Sequence, residues 1–170
     1  HIIRHYNEGW ADGFNLNIEY WKIWNEPDLD PEDSTNKRTW GGTKEEFFNL
    51  YEITAKHLKK CFPNLKIGGP ALGYNDVWAD NFLYEMQKRG VEIDFFSWHI
   101  YCVTPEVLIE KAKRIKNLLT KYGYENTESI LNEWNYVKGW MDEFLYSMES
   151  IHSLKNSAFI MSCICEAQAS

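Results

Sequence analysis

The chain holds 170 residues, with 18 Lys+Arg against 25 Asp+Glu and a net charge of −7. That balance argues against a nucleic-acid partner, which needs clustered basic residues, and aromatic residues at 16% with hydrophobic residues at 44% exclude a disordered chain. The length allows one domain with a real core but falls short of the roughly 250 residues of a complete (β/α)8 barrel.

Ile2, Ile3, Tyr6 and Trp10 fall at helical spacing, so the chain begins inside a helix. Tyr20 to Trp24 is aromatic and β-branched and predicts a first strand. A polar loop rich in Asp, Pro and Gly follows, from Asp28 to Gly42. Thr43 and Glu46 have the spacing of a capping box, and Phe47, Tyr51, Ala55, Leu58 and Phe62 mark one helical face up to Pro63. Leu65 to Gly69 predicts a short second strand. Trp78 to Arg89 predicts a helix stopped by Gly90. Ile93 to Tyr101 holds the third strand. Thr104 caps a helix that opens with Pro105, and Leu108, Ala112, Ile115, Leu119 and Tyr122 line its buried face before Gly123 ends it. Ser129 to Trp134 predicts a fourth strand. Met141 to Cys165 is helical, with a break near Lys155-Asn156.

Strands alternating with helices in this way imply βαβ units and a parallel sheet, an α/β fold. No linker or repeat divides residues 1–170, which read as one structural unit. The short basic clusters Lys59–Lys60 and Lys111–Arg114 lie in helical patterns and read as solvated faces. No apolar run reaches the roughly 20 residues of a membrane span, so no membrane partner is expected. No secretory leader is visible, and a chain starting at His1 leaves the compartment open, cytoplasmic or secreted. The four cysteines show neither CxxC spacing nor a His pairing suited to zinc. Cys163 and Cys165 read as small buried hydrophobes.

In a parallel α/β architecture the reacting groups lie at the carboxyl ends of the strands. Glu26 ends the first strand in Trp24-Asn25-Glu26-Pro27, and Glu133 ends the fourth in Leu131-Asn132-Glu133-Trp134-Asn135. Glycoside hydrolysis needs such a pair: one carboxyl protonates the leaving oxygen, and the other attacks the anomeric carbon or activates water. Trp faces stack on sugar C–H groups, and Asn both donates to and accepts from hydroxyls. An isolated Glu at a strand end is more often a helix cap or an ion pair; the Asn-Glu-Pro triplet is more specific. Trp40, Tyr74 and Trp78 lie in or after βα loops, as sugar platforms or as loop packing. The acidic run Asp28–Asp33 lacks the Gly and terminal Glu of an EF-hand loop and reads as a solvated rim. No metal or other cofactor is expected.

Three segments carry a family resemblance: Trp21-Lys22-Ile23-Trp24-Asn25-Glu26-Pro27, Phe96-Ser97-Trp98-His99-Ile100-Tyr101 and Leu131-Asn132-Glu133-Trp134-Asn135. Their order and separation resemble the fourth, sixth and seventh strands of the clan A retaining glycoside hydrolases, with Ile67-Gly68-Gly69-Pro70 as the fifth. Within that clan the chain resembles glycoside hydrolase family 39, the β-xylosidase and α-L-iduronidase family. The resemblance covers nearly the whole chain. It implies a partial TIM (β/α)8 barrel, about strands 4 to 7 with their helices, and a carbohydrate substrate. It also implies that Glu26 is the general acid/base, that Glu133 is the nucleophile, and that Asn25 binds the 2-hydroxyl. His99 and Tyr101 match residues lining the site, and the Tyr101 hydroxyl can orient the nucleophile. Alternation puts Ser97, His99 and Tyr101 on one face and Trp98 and Ile100 on the other; a satisfied core residue is the alternative for His99. Trp134 is counted with the substrate-binding residues, with the core as its alternative. The two carboxyl groups are expected at about 5–5.5 Å, the separation of a retaining pair. The sugar stays undetermined, and Asn132 stands where many relatives carry a small hydroxyl residue.

On this reading the first three barrel strands and the last lie outside the chain. The strands at Tyr20–Trp24 and Ile130–Trp134 then present open edges, Ile23 and Phe96 face an open interior, and self-association or poor stability is expected. A non-catalytic carbohydrate-binding remnant is the competing reading, and retention of both glutamates favours the enzyme. A Ser or Cys hydrolase is a third, without the Gly-x-Ser-x-Gly elbow it would need.

Overall fold

The computed structural model describes residues 1–169. In chain order the elements are α1 (Ile2–Asn7), β1 (Tyr20–Lys22), α2 (Lys44–Cys61), β2 (Lys66–Leu72), α3 (Asp76–Lys88), β3 (Phe95–Cys102), α4 (Pro105–Lys121), β4 (Glu128–Tyr136), α5 (Phe144–Ile151) and α6 (Leu154–Ala169). The strands form one sheet in the order β1-β2-β3-β4, each neighbouring pair parallel. Parallel neighbours need crossover connections, and α2, α3 and α4 supply them. The sheet curls so far that its two outer strands meet across the concave face. Tyr20 of β1 donates its hydroxyl to Glu128 of β4 at 2.8 Å, although three strand spacings of a flat sheet would separate them by about 14 Å. The fold is the α/β half-barrel the sequence predicts. No helix among the described residues is long and apolar enough to cross a membrane.

The helices sit on the convex face. α2 begins as its sequence dictates: Thr43 Oγ1 accepts from the Glu46 backbone N–H at 3.2 Å, and Glu46 Oε2 accepts from the Thr43 N–H at 2.7 Å. Its buried residues Phe47, Tyr51 and Ala55 pack into an aromatic layer with α3. Tyr51 meets Phe82 edge-on at 4.8 Å, and Trp78 stacks on Phe82 at 5.7 Å. Phe96, Trp98 and Ile115 complete this core. Burying each such side chain contributes roughly 1.5–3 kcal/mol, so packing, more than helix propensity, fastens the helices to the sheet.

Ile23 and Phe96 belong to this layer and are buried, not open to the interior as the sequence suggests. Alternation is the reason: Phe96 shares the helix-facing side with Trp98 and Ile100. Cys163 is buried but Cys165, two residues along the same helix, is exposed. Lys111 is buried, not solvated: its Nζ donates to the Gly73 carbonyl at 3.1 Å. Several boundaries also move. β1 stops at Lys22, and β2 runs on to Leu72. α3 starts at Asp76, because Asn75 Oδ1 caps it by accepting from the Trp78 N–H at 3.0 Å. The last helical stretch breaks at His152–Ser153.

Two irregularities in the sheet aim the site. Between β2 and β3, Pro70 pairs with Ser97 and Leu72 with Trp98, so Ala71 bulges out at φ +57°. Between β3 and β4, Trp98 pairs with Leu131 and His99 with Glu133, so Asn132 is the extra residue. Strict alternation from Glu128 and Ile130 would turn Asn132 inward and Glu133 outward. The bulge absorbs one residue and turns Glu133 to the concave side.

Candidate active site

β1 gives way to Trp24-Asn25-Glu26, where Trp24 and Glu26 hold φ values of +68° and +50°. For a side chain with a Cβ that conformation costs about 1–3 kcal/mol. Three hydrogen bonds hold it. The Glu26 N–H donates to the Ala71 carbonyl at 2.9 Å, Thr39 Oγ1 donates to the Glu26 carbonyl at 2.5 Å, and Trp24 Nε1 donates to the Thr39 carbonyl at 3.0 Å. The β2 bulge therefore does more than bend its strand. It offers Ala71 O to Glu26, while Ser97 Oγ accepts the Ala71 N–H at 3.0 Å. Gly73 passes close by: a Cβ there would stand 3.3 Å from Glu26 Oε1.

Asp28 braces this loop. Its Oδ1 accepts from the Gly73 N–H at 2.8 Å, and its Oδ2 accepts from the N–H groups of Tyr74 and Asn75 at 3.1 and 3.0 Å. Asp28 is only 3% exposed, so it does not belong to the solvated rim expected of the acidic run. It ties the loop after β1 to the loop after β2.

The structure brings Glu26, His99, Tyr101 and Glu133 together at the carboxyl ends of β1, β3 and β4. Carboxylate oxygens of Glu26 and Glu133 and the Nδ1 of His99 lie within 4.8 Å of one another. His99 Nδ1 is 2.8 Å from Glu26 Oε1 and 3.7 Å from Glu133 Oε2. Tyr101 donates its hydroxyl to Glu133 Oε1 at 2.5 Å. Burial, then the hydrogen bond to Glu133 and the charges of Glu133 and Glu26, hold the Tyr101 phenol well above the ordinary tyrosine pKa. Asn25 lies beside Glu26 and accepts from Lys22 Nζ at 2.7 Å. Trp134 does not join them. It pairs with Ile100 on the helix-facing side and packs against Phe159 of α6 at 6.1 Å, because the residue after Glu133 takes the opposite face.

A cavity of about 710 Å³ opens over these groups, lined among others by Glu26, Tyr74, Tyr101, Lys111, Glu133 and Trp140. That volume lies within the range of small-molecule sites. Of the loop aromatics, Tyr74 reaches the cavity, Trp78 is core, and Trp40 packs between Trp24 and Phe47 at 5.3 and 5.4 Å. Trp140 went unread in the sequence. It meets the Tyr101 ring edge-on at 4.9 Å and is 55% exposed. Its position in the loop after β4, at the carboxyl end of a strand, was the available signal. Lys111, which the sequence places on a solvated face, also lines the cavity; burial lowers its pKa, opposed by the charges of Asp76 and Asp28.

Glu26, His99 and Glu133 each offer an atom that could ligate a cation. A histidine that binds metal through Nδ1 carries its proton on Nε2 and donates it to a partner. His99 Nε2 is buried with no hydrogen-bond partner. The ring therefore suits a hydrogen bond from Nδ1–H to Glu26 better than a metal.

Residues 3–161 match Glycosyl hydrolases family 39. The chain is 30% identical over 134 residues to a β-xylosidase of Geobacillus stearothermophilus, which covers 67% of this chain and 25% of that protein. It is 39% identical over 82 residues to a β-xylosidase of Caldicellulosiruptor saccharolyticus, covering 48% of this chain and 15% of that protein. The crystal structure of a glucosidase from Croceicoccus marinus superimposes with a TM-score of 0.74 at 27% identity, over 95% of this chain and 33% of that one. The chain thus spans a quarter or less of the curated relatives it matches.

Proposed function

The chain belongs to glycosyl hydrolase family 39, and from that premise we propose that it carries the catalytic pair of a retaining, β-xylosidase-like glycoside hydrolase. On this proposal residues 1–170 are part of one catalytic barrel, its remaining strands supplied by further chain. The observation that carries the reading is that one carboxylate oxygen of Glu26 and one of Glu133 come within 4.8 Å of each other from opposite edges of one parallel sheet. An inverting pair keeps about 6.5–9.5 Å to admit a water between; a retaining pair stands at about 5–5.5 Å.

Each neighbour supports a distinct role. Glu133 is the nucleophile. The Tyr101 O–H on its Oε1 orients it and leaves Oε2 to form the bond to the anomeric carbon. Glu26 is the acid/base. His99 Nε2 has no acceptor for a proton, so the ring proton sits on Nδ1 and is donated to Glu26 Oε1. The proton given to the leaving oxygen then comes from Oε2. As the glycosidic bond breaks, Glu133 forms a glycosyl ester. Glu26, now a carboxylate, takes a proton from water, whose oxygen attacks the anomeric carbon and frees Glu133. Asn25 binds the 2-hydroxyl, and Tyr74 and Trp140 offer aromatic surface to the sugar. The names of the curated relatives support xylose as the glycone, hence a carbohydrate substrate.

The test is a 2-deoxy-2-fluoro-β-xyloside with an activated leaving group, applied to the full-length protein. The fluorine slows both steps and the leaving group restores the first, so the ester accumulates. Mass spectrometry should find the label on the peptide carrying Glu133. An unlabelled, well-folded protein that binds xylosides would mark a carbohydrate-binding remnant and overturn the reading.

A further inference from the structure

Lys22 has no part in the mechanism above, yet it sits against it. It shares the concave face of β1 with Tyr20, two residues earlier. Its Nζ lies 2.7 Å from Asn25 Oδ1. An ammonium has three N–H donors and no acceptor, so the amide atom that faces it has to be the oxygen. A free carboxamide can turn over and offer either its oxygen or its nitrogen to a ligand. With Oδ1 engaged, Asn25 presents the Nδ2 hydrogens as donors. Partial burial lowers the Lys22 pKa, and the charges of Glu133 and Glu26 oppose that change, which places the ammonium within the field of both carboxylates.

We propose that Lys22 is a positioning residue that locks the Asn25 carboxamide, so that Nδ2 donates to the oxygen of the sugar 2-hydroxyl. The hydroxyl proton then remains free to point at the Glu133 carboxylate. This rests on the proposed glycosidase reading and adds to it a reason why the site tells a 2-hydroxyl from a 2-deoxy sugar. Lys22 touches no reacting atom; it acts through Asn25.

The experiment compares 4-nitrophenyl β-xyloside with its 2-deoxy analogue on the full-length protein and its variants. Lys22→Met should lower kcat for the 2-hydroxyl substrate about 10–100-fold, the scale of a misplaced binding group. It should leave KM and the 2-deoxy rate within about twofold, so the ratio between substrates collapses. Asn25→Ala should collapse the same ratio, and the double variant should lose no more than Asn25→Ala alone, because the two residues act as one unit. Lys22→Arg keeps a donor and should restore most of the ratio, which separates a lost hydrogen bond from a damaged fold. Equal losses on both substrates in Lys22→Met, or additive losses in the double variant, would overturn the proposal while leaving the glycosidase reading intact. Absence of turnover on both substrates in the unsubstituted protein would instead overturn the glycosidase reading, and this proposal with it.

Discussion

Glu26 and Glu133 are the same side chain, and only their neighbours make them different. Glu26 faces an imidazole N–H and stands among loop backbone; Glu133 faces a phenol and is more open to the cavity. The assignment of Glu26 as acid has a direct kinetic consequence. Glu26→Ala in the full-length protein should lose about 10²–10⁴-fold on an alkyl or xylan-derived glycoside, the usual contribution of general acid catalysis. It should lose far less in the first step on a dinitrophenyl glycoside, whose leaving group needs no proton. Parallel losses on both substrates, measured by pre-steady-state release of the phenol, would remove Glu26 from that role. Tyr101 gives a second test. Its raised pKa means the hydroxyl is still protonated where an ordinary tyrosine would be half ionised, so its ionisation does not set the alkaline limit of activity. Tyr101→Phe should therefore lower kcat by about 10²-fold while leaving the alkaline limb of the pH–rate profile in place. A limb that moves with this substitution would show that the phenol titrates in the working range.

Whether these side chains meet at all is decided by two bulges and a buried aspartate. Asp28 accepts three backbone N–H groups at the mouth of α3. Asp28→Ala would leave the buried Gly73 N–H without a partner, at a cost of about 1–3 kcal/mol, while the N–H groups of Tyr74 and Asn75 are only partly buried. A fall in melting temperature of about 5–10 °C is expected, since a ΔΔG of 1 kcal/mol shifts a domain of this size by about 2–4 °C. Thermal unfolding of the variant checks this, and an unchanged melting temperature would show that the loop finds other acceptors. The elements themselves were largely legible. Thr43 and Glu46 announced α2, Pro105 announced α4, and the apolar periods of both helices name the faces that pack. The devices that aim the site were not. Asn132 reads as one more strand residue, and nothing local marks it as the position that turns Glu133 inward. Asp28 reads as one acid in a run of acids. Its burial follows from Gly73, Tyr74 and Asn75, some 45 residues away, and a non-local contact of that kind leaves no periodic trace. Phe96 shows the reverse case, where the alternation that placed His99 inward already required Phe96 to face the helices.

The curl that brings Tyr20 to Glu128 also sets how a polypeptide of these 170 residues should behave on its own. Among the described residues, β1 and β4 each pair with a strand on one side only. β1 offers an edge of three residues, but β4 offers nine. An unpaired parallel edge of that length is a template for another chain. The concave face adds to the liability. Tyr20 is 44% exposed, where a closed barrel would cover it with opposing strands. The helix-facing side behaves differently, because Ile23 and Phe96 are already buried there; from the loop after β4 into α6, Trp140, Met141, Leu145 and Leu154 add further exposed apolar surface. Covering a few such side chains contributes roughly 1.5–3 kcal/mol each, a large part of the about 5–15 kcal/mol that holds a domain together. Association is therefore favoured over a free monomer. Sedimentation of the purified polypeptide should show dimers or larger species that grow with concentration. Turnover of an aryl xyloside should be negligible, because a sugar bound over Glu26 and Glu133 would meet protein on one side only. A monomer at high concentration with turnover near that of a full-length relative would show that these four strands already make a closed site, and that the edges of β1 and β4 are protected in solution.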